Sequence, residues 1–179
     1  MLDIIIKILY ILPPLYLFYL VVIYFITKVP YANTPESYYD TIFKNVSITS
    51  KTKIYELGCG KGKFLFEAEK RFRPAKLVGF DLSPFHIAYD KIKAKIIGSK
   101  AEFYLQDFFK ADLKDADLIY LFLTPKAVKK IWPIIKKQTK KGSRVIILSD
   151  GLPKVKYEKI INMRPGKENS SKLYIYKAA

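Results

Sequence analysis

Between an apolar, β-rich run at Lys53–Leu57 and a helical pattern that begins at Lys63 stands Gly58-Cys59-Gly60-Lys61-Gly62, preceded closely by Glu56. Three glycines at alternate positions allow positive φ and offer bare backbone on which a ligand can rest. The helix that follows points its N-terminal N–H groups at the same place. This turn commits the chain to a strand–turn–helix unit that holds a small charged ligand. A phosphate loop would end Gly-Lys-Ser/Thr, but Gly62-Lys63 is followed by Phe64, and a dinucleotide turn would read G-x-G-x-x-G.

An acid followed by G-x-G-x-G fits the S-adenosylmethionine turn of a methyltransferase better than either. The surrounding pattern agrees with an α/β fold. Strands are expected over Lys76–Phe80, Ala101–Leu105, Asp117–Leu123 and Ser143–Leu148, with helices from about Pro84 to Gly98 and from Lys126 to Gln138. Such alternation specifies a parallel sheet covered by helices. Two tail strands, Lys154–Met163 and Lys172–Lys177, lack room for a crossover helix between them and should pair antiparallel at the sheet edge. Upstream, Thr34 is placed to cap a short helix over Pro35–Asn45.

Within this frame the ligand contacts can be assigned. Glu56 complements a methionine ammonium, Asp81 at the carboxyl end of the second strand accepts from ribose hydroxyls, and Asp107 fixes an adenine edge while Phe108 packs on the ring. Leu82 and Gln106 adjoin these acids, and Cys59 matters for its small size between Gly58, Gly60 and Gly62. One cysteine and one histidine, His86, exclude a disulfide framework and a zinc site of Cys and His ligands. His86 reads as an ordinary helix residue, and no metal is expected.

Residues 8–27 carry no charge over twenty positions, the length a helix needs to cross roughly 30 Å of hydrocarbon. Pro13 and Pro14 should shorten the uninterrupted helix to Leu15–Thr27. The segment lacks a small-x-small cleavage site, so an uncleaved single-pass anchor over 1–28 is expected, with a methyltransferase domain over 29–179 on the cytoplasmic side. Residues 1–50 sum to zero charge, so the whole formal excess of +16 lies after Ser50. A surface of that sign attracts RNA, anionic lipid or acidic protein.

Several stretches resemble the small seven-strand protein-lysine methyltransferases that include the archaeal broad-specificity enzyme. The same stretches are similar to the mitochondrial enzymes acting on the ATP synthase c-subunit and the adenine nucleotide translocase. They are V-P-Y-A-N-T-P-E at 29–36, E-L-G-C-G-K-G-K at 56–63, V-G-F-D at 78–81, A-E-F-Y-L-Q-D-F-F at 101–109 and L-Y-I-Y at 173–176. The resemblance implies a Rossmann-like class I fold, S-adenosylmethionine as cofactor and a protein lysine as substrate. It also implies that the segment around Tyr31 and Thr34 closes over the cofactor and shapes a lysine channel. The mitochondrial members share an N-terminal hydrophobic segment. Lys61 departs from the acid common between the glycines, and Ser149-Asp150-Gly151 departs from the archaeal pattern.

Methyl transfer from a sulfonium needs alignment and water exclusion rather than a strong base. The fourth-strand exit, Leu121-Phe122-Leu123-Thr124-Pro125, is expected to supply the carbonyls and aromatic walls that orient the amine, together with Tyr31, Thr34 and Asp150. That exit lacks the Asn/Asp-Pro-Pro-aromatic turn of nucleobase amino methylation, which leaves RNA the less favoured partner. A lipid headgroup and a non-catalytic membrane scaffold are the other readings.

Overall fold

The computed structural model describes residues 2–27, 33–167 and 170–178, and within the first helix the side chains of residues 3, 5–7, 9–19, 21 and 22. The chain divides into two compact units, Met1–Tyr31 and Ala32–Ala179.

The described residues of the first unit form one helix, α1 (Leu2–Thr27), which runs on through Pro13 and Pro14 instead of stopping there. Proline's fixed φ is compatible with helical backbone; what the pair removes is two intrahelical donors. Leu9, Tyr10, Ile11, Leu12, Leu15, Leu17 and Phe18 are exposed. Among the described residues no helix is long and apolar enough to cross a membrane. The single-pass transmembrane helix expected over 8–27 is therefore not found.

The second unit is built on a seven-stranded sheet: β1 (Lys53–Leu57), β2 (Lys76–Asp81), β3 (Glu102–Leu105), β4 (Leu118–Leu121), β5 (Arg144–Ser149), β6 (Lys159–Asn162) and β7 (Lys172–Lys177). Their order is β3-β2-β1-β4-β5-β7-β6, with β1 to β5 parallel and β7 antiparallel to both neighbours. The expected parallel sheet with an antiparallel edge is thus present. The central runs Leu118–Leu121 and Val145–Leu148 are almost fully buried, as strands covered on both faces must be.

Helix α2 (Tyr39–Lys44), entered through a 3-10 turn at Glu36–Tyr38, packs with α3 (Lys63–Phe72) on one face. An aromatic column joins them to the sheet: Phe43 lies 5.4 Å from Phe64, whose ring stacks 4.0 Å from Tyr120 of β4. Helix α4 (Pro84–Ile97) is capped by Ser83, which accepts the His86 N–H, and ends at left-handed Gly98. Helix α5 (Pro125–Gln138) buries Val128, Ile131 and Ile135, spaced three and four apart.

Three boundaries differ from expectation for local reasons. Asp117 leaves the fourth strand because its carboxylate accepts the first N–H of β1, at 2.8 Å. Phe122 and Leu123 leave it at the other end to enter the site. The sixth strand begins only at Lys159, since Lys154 adopts φ 63 in a turn while the Tyr176 hydroxyl accepts the Leu152 N–H. Thr34 does not cap the helix after it. Its hydroxyl bonds the Tyr120 hydroxyl at 2.6 Å instead, and the cap position is taken by Pro35.

Candidate functional site

The turn after β1 is held to the second strand by its own backbone. The Gly58 and Cys59 N–H groups both donate to the Phe80 carbonyl, at 2.8 and 3.0 Å. The Gly60 N–H donates to Asp81 Oδ2 at 2.9 Å, and the Ser83 N–H to Asp81 Oδ1 at 2.8 Å. Asp81 therefore ties the turn to the strand end and still has lone pairs for a ligand's hydroxyls. Gly62 has φ 57, and a Cβ there would lie 2.6 Å from the Phe103 ring; one on Gly58, at φ 79, would lie 2.8 Å from Leu123. Only glycine meets both demands at either place.

Glu56 ends up buried beside the turn, and its Oε2 has no hydrogen-bond partner among the described residues. Burial pushes its carboxyl well above the usual range, and the charges of Asp90 and Asp81 add to the effect. Burial likewise raises the Cys59 thiol. Asp90, on the buried face of α4, is pushed up to about 8, first by burial and then by Asp81. Its Oδ2 lies 4.0 Å from Cys59 Sγ. Three carboxyl groups thus converge on one short turn, an environment that favours a ligand bringing positive charge.

Beyond Glu56 lies a cavity of about 20 Å³, bounded by Asn33, Thr34, Tyr39, Lys63, Phe64 and Phe122 with the turn itself. The Tyr39 hydroxyl, buried and without a hydrogen-bond partner among the described residues, borders it. A larger concavity of about 420 Å³ lies along Tyr55, Val78, Phe80 and Tyr104 and reaches Gln106, away from Glu56. It exists because only a 3-10 turn, Phe108–Lys110, fills the connection between β3 and β4. Size does not identify the site here; convergent polar groups do.

The remaining expected residues divide by place. Leu82 is exposed beside Asp81. Gln106 donates its side-chain amide to the Lys110 carbonyl and its N–H to the Asp81 carbonyl. Asp107 caps the 3-10 turn by accepting the Phe109 N–H, and Phe108 is buried 4.7 Å from the Phe109 ring. Leu123 packs on the glycine turn, Thr124 caps α5 by accepting the Ala127 N–H, and Pro125 opens that helix. Asp150 is exposed after β5, where Ser149 takes φ 108, a strained value for a residue with a side chain. Tyr31 lies outside the described residues. His86 is buried, with Nδ1 3.8 Å from Asp81.

Tyr39, Tyr120 and Asp90 were not among the expected site residues. Asp90 carries a sequence signal that could have found it: nine residues beyond Asp81, it is the one acid of its helix and lies on the face that also buries His86, Ile87 and Ala94.

Comparison with known proteins gives a family and a shared fold. The family described as "ANTKMT methyltransferase domain" matches residues 56–159, more than half the chain. A protein-lysine N-methyltransferase of Saccharolobus islandicus is 25% identical over 154 residues, covering 85% of this chain and 95% of that protein. A carboxy-S-adenosyl-L-methionine synthase of Nautilia profundicola is 35% identical over 104 residues, 53% of this chain and 44% of that protein. Among solved structures, an RNA methyltransferase of Salinibacter ruber in complex with S-adenosyl-L-homocysteine superposes with a TM-score of 0.75 at 22% identity. It covers 82% of this chain and 94% of its own, a likeness of fold.

Proposed function

We propose that this chain, which belongs to the ANTKMT methyltransferase domain family, transfers methyl groups to protein lysine at a membrane surface. It is an S-adenosylmethionine-dependent methyltransferase with a class I fold, and its residues fit that cofactor. The unpartnered Oε2 of Glu56 meets an ammonium, Asp81 meets ribose hydroxyls, and the glycine backbone lies where a Cβ would intrude. When bound, the cofactor supplies a methyl group activated by a neighbouring sulfonium charge.

The chain's own residues then have three tasks. Glu56 and Asp81 hold the amino-acid and ribose parts of the cofactor, with Asp107, Gln106, Leu82 and Phe108 assigned to the base. Phe64 and Phe122 wall the approach beyond Glu56 and exclude water, which lowers the pKa of an entering lysine and favours its neutral, nucleophilic form. The Thr34–Tyr120 hydrogen bond fixes the segment that faces the turn, and Tyr31, Leu123, Thr124, Pro125 and Asp150 are assigned to the substrate side. The observation that carries the lysine reading is this narrow, aromatic-walled cavity next to a cation-seeking carboxyl group. The full-length lysine N-methyltransferase relative supports it.

Membrane attachment is supported by the uncharged run of 8–27 and by the exposed apolar side chains of α1. The lysine-rich domain then stands on the cytoplasmic side. The test incubates the protein and its Asp81→Ala variant with methyl-labelled cofactor and separated membrane-protein, soluble-protein, RNA and lipid fractions. Label on lysines of membrane proteins, absent with the variant, is the expected result. Label confined to RNA or lipid would overturn the lysine reading.

A further inference from the structure

Helix α4 carries a second surface that methyl transfer does not use. Phe85, Tyr89, Ile92 and Ile96 recur at intervals of four, three and four residues, so they form one ridge along the helix. They are 62, 46, 61 and 76% exposed. The opposite face, with Ile87, Asp90 and Ala94, is already buried. A helix covering a sheet ordinarily turns polar residues outward, so an exposed apolar ridge there marks an interaction surface.

The flanks of the ridge are cationic. Lys93 and Lys61 each reach over the Tyr89 ring, 5.9 Å from its centre. Lys91 and Lys95 stand on the other flank and are exposed. The helix's one acid, Asp90, is buried. Acids on neighbouring elements are engaged: Glu69 accepts from the Ser99 hydroxyl and the Lys100 N–H, and Glu102 accepts from the Tyr104 hydroxyl.

We propose that α4 seats the methyltransferase domain on an anionic bilayer surface. The ridge enters the boundary between headgroups and acyl chains, while the lysines extend their stems beside it and place their ammonium groups among lipid phosphates. A second copy is the poorer occupant, because a two-fold contact through this ridge would bring lysine rails together. Phe85 follows Asp81 by four residues, so seating holds the cofactor end of the sheet close to the membrane. The proposal stands on α4 alone and does not depend on what α1 does.

The test uses the full chain with an environment-sensitive fluorophore on Ile96→Cys; native Cys59 is buried and escapes labelling. A control carries the label on Lys137→Cys, exposed on α5. Both are mixed with phosphatidylcholine vesicles, with or without phosphatidylglycerol, and methylation is assayed on the same samples. At position 96 the emission should shift to the blue and be quenched by nitroxide lipid only in anionic vesicles, with position 137 unchanged. Replacing Lys91, Lys93 and Lys95 by glutamine should move the seated fraction's equilibrium about fivefold per lysine. Unchanged emission at 96 while the protein floats with anionic vesicles would overturn the proposal. So would a shift that grows with protein concentration and needs no vesicles, which would assign the ridge to a second copy. Because methylation is read separately, loss of seating with intact turnover is distinguishable from an inactive enzyme.

Discussion

Replacing Asp90 by asparagine should remove a large part of the dependence of the domain's stability on pH. Asp90 has no exposed surface, and its pKa is raised from 3.8 to about 8, by burial first and then by the charge of Asp81; Lys93 and Lys61 oppose the rise. An acid whose folded pKa lies above its unfolded value binds more protons in the native state between the two. Stability is therefore fullest below about pH 4 and falls as pH climbs toward 8. At 1.36 kcal/mol per pH unit, the loss between pH 5 and pH 8 amounts to about 3.5 kcal/mol, an upper figure because solvent screening reduces it. Asparagine has the shape of the protonated acid and does not titrate. In urea unfolding followed by Trp132 fluorescence at several pH values, the variant should gain on the wild type steadily from pH 5 to pH 8. In Tm the gain is on the order of 10 °C. Glu56, raised by burial first and then by the charge of Asp90, keeps a smaller slope of the same sign in the variant. Parallel curves for the two would refute the argument that Asp90 is held protonated.

Three further outcomes are expected. Glu56→Gln should weaken cofactor binding about tenfold to a hundredfold by calorimetry, since a charge-assisted hydrogen bond contributes about 1.5–3 kcal/mol, and unchanged affinity would remove Glu56 from the cofactor site. Gly62→Ala should lower thermal stability by about 2–4 kcal/mol, because it combines a left-handed φ with a side-chain atom 2.6 Å from Phe103; a smaller loss would mean that the ring gives way. A double-mutant cycle of Thr34→Val and Tyr120→Phe should show about 1 kcal/mol of coupling in unfolding free energy, and purely additive effects would show that the 2.6 Å contact holds nothing in place.

Much of the fold is legible before any coordinates because its signals are local. The strand before Gly58, Ser83 with Pro84 opening α4, Gly98 closing it and the continuous apolar runs of β4 and β5 each encode an element within a few residues. The cofactor turn is legible for the same reason: three glycines and two acids at fixed spacing carry it. Thr34 shows where local reading stops. Followed by Pro35 and Glu36 it looks like a helix cap, yet its hydroxyl pairs with Tyr120, 86 residues away, an option only the folded chain provides.

What the sequence by itself determined, then, is the strand–turn–helix unit, the mixed sheet with its antiparallel edge and the cofactor chemistry. The tertiary structure decided how those parts converge. It set Asp90 beside Cys59, aimed Tyr39 and Phe122 at Glu56, and left one face of β1 to β3 open for want of a crossover helix. Local dihedral preferences and apolar periodicity act over a few residues, whereas burial, and the proton affinity it shifts, depends on which distant side chains the sheet brings into contact.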